Sequence, residues 1–235
     1  MGKIVLMADS VGASANVALA QRWFQMVAIY YGYAAADIIN SAVPGDKSSH
    51  MLARFAADVL AHNPEVVVFL MGVNDGANGI SLATHEANYR SMIEQVMAAG
   101  AKVVIITPPI YRQDVASWRP WHAKWLQLAA DYGCPLVDVT RAYGWEYVAD
   151  SAAFNGLYVN SADLVHQSVA GNAKMAAICC EPIHAKSFLK DAPGEQPGGE
   201  CPECPPAATE LQLALSDLLT SGVNSTRLQR VIDAI

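Results

Sequence analysis

Five short apolar runs punctuate the first ~185 residues, at 3–8, 36–41, 65–71, 102–107 and 135–139, and Val, Ile and Leu dominate most of them. Continuous rather than alternating apolar character is what parallel strands covered on both faces require. Between the runs lie Ala-rich segments whose apolar residues recur at helical spacing. In one of them Met51, Leu52, Phe55, Val59 and Leu60 follow three- and four-residue steps. The pattern predicts helices over 14–31, 48–62, 82–99, 119–132 and 168–183. Ala99-Gly100 and Tyr132-Gly133 read as C-terminal stops before the next strand. Strand and helix alternate, which predicts an α/β fold with a doubly wound, five-stranded parallel sheet. Right-handed crossovers then place helices on both faces as an α/β/α sandwich.

The pattern breaks after residue 190. Residues 191–207 (DAPGEQPGGECPECPPA) are rich in Pro, Gly and Glu and read as a linker. Two short amphipathic helices follow within 208–235. Leu211, Leu215, Leu218 and Leu219 mark the first, and Leu228, Val231, Ile232 and Ile235 the second, with Asn224 and Ser225 placed to cap it. Helices this short cannot build a core alone. Packing on the parent domain is the plain expectation, and a docking or homo-oligomerisation element is the functional one. The expected division is therefore a domain over 1–190, a linker over 191–207 and a helical appendage over 208–235.

Composition narrows the function. Apolar residues make up 53% of the chain, yet no run reaches the ~20 residues of a membrane span. Gln21, Arg22 and Gln25 interrupt the longest suspect, Val17–Tyr31, so a buried helix is expected there. A net charge of −7 with no Lys/Arg cluster argues against nucleic-acid binding. The N-terminus enters a strand at once and lacks the layout of a signal peptide. The expected location is cytoplasmic, or virion-associated if the source is a virus. The five cysteines are an odd number, which suggests no disulfide framework. Cys201-Pro-Glu-Cys204 is half of a zinc-ribbon pattern, and a tetrahedral site usually needs two such pairs. Cys179, Cys180 and His184 are oddly spaced for the other half. Neither a metal nor a cofactor is expected.

The candidate chemistry sits where strands end. In a doubly wound sheet, sites form outside the carboxyl ends of the strands. Ser10, Gly45 and Asn74 follow the first three runs. A serine hydroxyl needs a base to become a nucleophile. Asp163 and His166, three residues apart, can supply a base and the carboxylate that orients it. The amides of Ser10 and Gly45 and the side-chain amide of Asn74 can hold an oxyanion. Asp9 and Asp75 read as loop-holding residues. Of the other histidines, at 50, 62, 85, 122 and 184, none has a comparable setting, although His50 follows Gly45 closely.

Ala8-Asp9-Ser10, Gly45, Gly72-Val73-Asn74-Asp75 and Asp163-Leu164-Val165-His166 resemble, in order, the four blocks of the SGNH (GDSL-type) serine hydrolases. The resemblance covers about residues 3–183 and implies a flavodoxin-like α/β fold. It also implies that Ser10 is the nucleophile, that Asp163 and His166 complete a triad, and that Ser10, Gly45 and Asn74 form the oxyanion hole. Two positions depart from the family pattern. Ala8 stands where Gly is usual, and Gln167 where Pro often follows the histidine. The expected activity is hydrolysis of small acyl esters through an acyl-enzyme, above all O-acetyl groups on a carbohydrate. No inserted lid or long apolar extension adjoins the motifs, which favours a short acyl group. Lysophospholipase or thioesterase activity is the alternative within the family. A structural or adhesive component, for instance of a virus particle, is the alternative outside it. Tyr111, Arg112 and Trp118, beyond the fourth strand, are candidate substrate contacts whose ring faces could stack on a sugar. Trp121 and Trp125 have the spacing of core residues.

Overall fold

A computed structural model of the chain describes residues 2–109, 115–143, 157–159, 163 and 165–189. The linker, the appendage with Cys201 and Cys204, and the candidate contacts Tyr111 and Arg112 lie outside the described residues.

The apolar runs form β1 (Lys3–Ala8), β2 (Ile38–Asn40), β3 (Pro64–Leu70), β4 (Lys102–Ile106) and β5 (Leu136–Val137). All four pairings are parallel, in the order β2-β1-β3-β4-β5. This is the flavodoxin-like order, with its switch point between β1 and β3. Successive side chains of a strand point to opposite faces. Ile4, Leu6, Val66, Val68, Leu70, Val104 and Ile106 therefore belong to one core, and Val5, Met7, Val67, Phe69, Val103 and Ile105 to the other. Both faces are apolar because both are covered, which is why the runs do not alternate.

Helix α1 (Ser10–Ala13) follows β1, and α2 (Trp23–Tyr30) precedes β2. Between β2 and β3 runs α3 (Ser48–Asp58). Beyond β3 come α4 (Val73–Ala77) and α5 (Leu82–Ala98). The order continues with α6 (Val115–Tyr132), α7 (Val139–Ala142), α8 (Val169–Cys179) and α9 (Ala185–Phe188). Helices α2 and α8 contribute to the first core, and α3, α5 and α6 to the second. Among the described residues, no helix is long and apolar enough to cross a membrane.

The helix expected over 14–31 is α-helical only over α2, Trp23–Tyr30, because the chain breaks after α1. Ser14 adopts a left-handed conformation (φ 43°), and its amide closes α1 on the Ser10 carbonyl at 3.0 Å. A 3-10 turn, Leu19–Gln21, leads into α2. The first amide of α2, on Trp23, is capped at 3.1 Å by Asn172 Oδ1 from α8. A cap supplied 149 residues away leaves no local signature. Helix α3 ends at Asp58, where Val59 leaves the helical region (φ −125°, ψ −63°), and a 3-10 turn, Leu60–His62, closed by the left-handed Asn63 (φ 51°), takes up the rest of the helix expected to 62.

Candidate active site

At the end of β1, Asp9 caps α1. Its Oδ1 accepts the Val11 amide at 3.0 Å and leaves Ser10 as the first helical residue, partly exposed. Ala8 is accommodated by Gly12. A Cβ built on Gly12 would lie 2.3 Å from the Ala8 Cβ, so the glycine one helical turn onward makes the room that Ala8 takes up. Ala8 is not among the described residues with positive φ, and the turn therefore tolerates its side chain. Asp9 itself is fully buried, and its Oδ2 has no hydrogen-bond partner. Desolvation pushes its pKa up to about 7, against the opposing pull of the Val11 hydrogen bond and of His166 nearby.

At the end of β2, the Val43 amide bonds to the Ala8 carbonyl at 3.1 Å, which brings the second loop to the first. Gly45 turns this loop with φ +82°, a conformation that favours glycine, and it is exposed with no atom near the position a Cβ would take. At the end of β3, Gly72 (φ +121°) opens α4, which carries Asn74 and Asp75. One amide hydrogen of Asn74 is committed to the Asp46 carbonyl at 3.0 Å. An NH2 group carries two donors, so this bond uses only one of them. Asp75 is fully buried and grips the Ser48 amide with both oxygens, at 3.0 and 3.2 Å. Asn74 and Asp75 thus pin the Gly45 turn at two adjacent points.

The fourth block forms a compact turn. Asp163 Oδ1 accepts the amides of Val165 and His166 at 3.2 and 3.0 Å, and Oδ2 meets His166 Nδ1 at 2.8 Å. Partial burial opposes ionisation of Asp163, but the hydrogen bonds from His166 and Val165 outweigh it and hold the carboxyl below its ordinary value. A carboxylate only accepts, so the Nδ1 proton points to Asp163, and in the neutral ring Nε2 is then the acceptor. Gln167 stands in for proline by closing the turn through its side chain, with Nε2 donating to the Val165 carbonyl at 3.0 Å. The Gln167 carbonyl in turn accepts from Asn16 Nδ2 at 2.8 Å. Asn16 lies just past α1, so the segment bearing Ser10 is tied directly to the segment bearing His166.

Two histidines that the sequence reading set aside, His85 and His122, are buried and hydrogen-bonded. His85 Nδ1 meets Asp75 Oδ2 at 2.6 Å, and Trp125 Nε1 donates to His85 Nε2 at 3.1 Å. His122 Nε2 meets Asp138 Oδ1 at 2.9 Å, and that oxygen also accepts from Thr107 and Arg141. His122 lines a small cleft, open to solvent, together with Val73, Pro108, Pro109, Trp118, Trp125 and Thr140. Val73 is the residue before Asn74, so the pocket adjoins the β3 end of the site. Trp118 is half-buried there, and its ring packs where a Cβ on Gly76 would lie, at 2.6 Å. His50 is exposed beside the Gly45 turn, 3.6 Å from Asp46.

With this geometry in place, comparison with known proteins is specific. A family model described as GDSL-like Lipase/Acylhydrolase family matches residues 7–174. Esterase TesA of Pseudomonas aeruginosa is 30% identical over 113 residues, covering 46% of this chain and 56% of that protein. The chain spans about half the length of the curated relatives it matches. A crystal structure of TesA superposes with a TM-score of 0.65 at 22% identity, over 80% of this chain and 99% of that one. A catalytic mutant of Axe2, an acetylxylan esterase from Geobacillus stearothermophilus, gives 0.63 at 19% identity over 76% and 93%. At these identities the structural likeness speaks for the fold.

Proposed function

This chain belongs to the GDSL-like lipase/acylhydrolase family, and from that premise we propose that it is a serine esterase that cleaves small acyl esters through an acyl-enzyme at Ser10. The observation that carries the reading is the Asp163–His166 pair, oriented with Nε2 as a base and tied through Gln167 and Asn16 to the segment of Ser10. Ser10 Oγ attacks the ester carbonyl while His166 Nε2 takes its proton. The oxyanion receives the amides of Ser10 and Gly45 and the uncommitted amide hydrogen of Asn74. The alcohol departs with the proton from His166. Water then enters, loses a proton to the same nitrogen and releases the acid.

For the substrate we propose O-acetyl groups on a carbohydrate. The exposed Gly45 turn leaves the oxyanion side open to a bulky alcohol. The pocket beyond Asn74 carries the half-buried Trp118, whose ring suits stacking on a sugar. The acetylxylan esterase activity of the Axe2 neighbour agrees with this choice. Turnover of p-nitrophenyl acetate, butyrate and octanoate, followed by acetate release from O-acetylated oligosaccharides, tests the proposal. Acetate should be preferred, and Ser10→Ala should abolish turnover. A folded protein with no turnover of any ester would instead favour a structural role.

A further inference from the structure

Asp75, which grips the Gly45 turn, is itself held by a buried histidine that the mechanism above does not use. His85 and Asp75 are both fully buried. The His85 ring is enclosed by aromatic neighbours, with centroids at 5.1 Å from Trp121, 5.5 Å from Tyr89 and 6.4 Å from Trp125. The Gly72 backbone seals it further, because a Cβ there would lie 3.1 Å from His85 Cε1 and 2.7 Å from the Trp125 ring. Hydrogen-bond chemistry fixes the tautomer. An indole N–H can only donate, so His85 Nε2 must accept from Trp125 and carry no proton. The Nδ1 proton then goes to Asp75 Oδ2 at 2.6 Å.

From Asp75 the chain continues outward. Both carboxylate oxygens hold the Ser48 amide, and Ser48 Oγ accepts from Asn88 Nδ2 at 2.9 Å. Ser48 is the first residue of α3, three residues past Gly45, while Asn74 bonds the Asp46 carbonyl in between. A single buried path thus runs from Trp125 in the pocket wall, through His85 and Asp75, to the turn that presents Gly45.

We propose that His85 is a positioning residue for the oxyanion site: neutral, with its proton on Nδ1, it orients the Asp75 carboxylate and so sets the spacing between the Gly45 amide and the Asn74 side chain. This rests on the reading of Gly45 and Asn74 as oxyanion donors. Burial opposes ionisation of Asp75, but the His85 and Ser48 hydrogen bonds keep its carboxyl below the ordinary value, as a persistent carboxylate requires.

The test uses His85→Phe and His85→Asn in the full chain with p-nitrophenyl acetate. Phe fills the space and supplies no donor. Asn places an amide donor where Nδ1 stood. Losing an oxyanion donor outright costs about 10²–10³ in kcat, so a misplaced one should cost roughly 10- to 100-fold in His85→Phe, with KM nearly unchanged. His85→Asn should recover most of that loss. Residues that act through one group do not add. In an Asn74→Ala background, where one of the two positioned donors is already gone, His85→Phe should therefore cost less than it does in the wild type. Losses that multiply in the double variant, or a His85→Phe enzyme with wild-type kcat, would overturn the proposal. A wild type that turns over no ester would remove it together with the esterase reading, whereas an active wild type with an insensitive His85→Phe removes it alone. Nitrogen NMR of imidazole-labelled wild-type protein reads the tautomer even if the Phe variant does not fold. A proton on Nδ1 supports the path, and a proton on Nε2 overturns it.

Discussion

Asp9→Asn isolates the physics next to the nucleophile. The Asp9 carboxyl has one oxygen capping α1 and a second buried with no partner, and its pKa rises from 3.8 to about 7. A shift of about 3 units corresponds to roughly 4 kcal/mol at 1.36 kcal/mol per unit. The sign follows from proton binding. The folded state holds this proton more tightly than the unfolded chain, so the stabilisation is complete at acid pH and is lost as pH climbs through about 4 to 7. Asn keeps the cap, since Asn and Asp serve equally well there, but it cannot ionise. Its NH2 group in the bare position adds a constant cost of about 1–3 kcal/mol, which does not vary with pH. The readout is therefore the gap between the two proteins. Between about pH 5 and pH 7, Asp9→Asn should gain roughly 1.4 kcal/mol per pH unit on the wild type, and above that range the gap should level off. Asp75, Asp138 and Asp163 have lowered pKa values, act below this window with the opposite sign, and are common to both proteins. Urea unfolding followed by circular dichroism measures the gap. With a slope near 2 kcal/mol/M, the midpoint difference should grow by roughly 1.5 M across the window. Parallel stability curves for the two proteins would refute the reasoning.

Two further substitutions probe the site from other sides. Asp163→Asn removes the acceptor that keeps the proton on His166 Nδ1 and should lower kcat by roughly 10³–10⁴ with the fold intact, as steady-state kinetics and circular dichroism would show. Gly76→Ala would set a Cβ 2.6 Å from the Trp118 ring. Overpacking of this kind costs about 1–3 kcal/mol, so Tm should fall, and the displaced ring should change KM for p-nitrophenyl butyrate more than kcat.

The sheet could be read from the sequence because its central strands β1, β3 and β4 are buried on both faces, and such burial leaves a continuous apolar run. The chemical blocks were equally local: Asp163 and His166 lie within one turn, and Ser10, Gly45 and Asn74 each follow a strand. What sequence reading missed depends partly on a pair distant along the chain and partly on local side-chain fits that no pattern of apolar residues encodes. The start of α2 is capped by Asn172, and the break before it follows from the left-handed Ser14. Gly12 absorbs the side chain of Ala8, and a Gln167 side-chain bond does the work of a proline. His85 did leave a trace. It recurs with Tyr89, Met92, Ile93 and Val96 on the buried face of α5, and a histidine in that company signals a buried partner. That the partners are Asp75 and Trp125 could not be seen without the fold.

The central claim is an acyl-enzyme on Ser10, and mass spectrometry tests it directly. Protein quenched in acid during turnover of p-nitrophenyl acetate should carry one acetyl group on the peptide containing Ser10. The adduct should accumulate further in His166→Ala if that variant still acylates, and be absent from Ser10→Ala. Turnover with Ser10 unmodified and Ser10→Ala fully active would contradict the account.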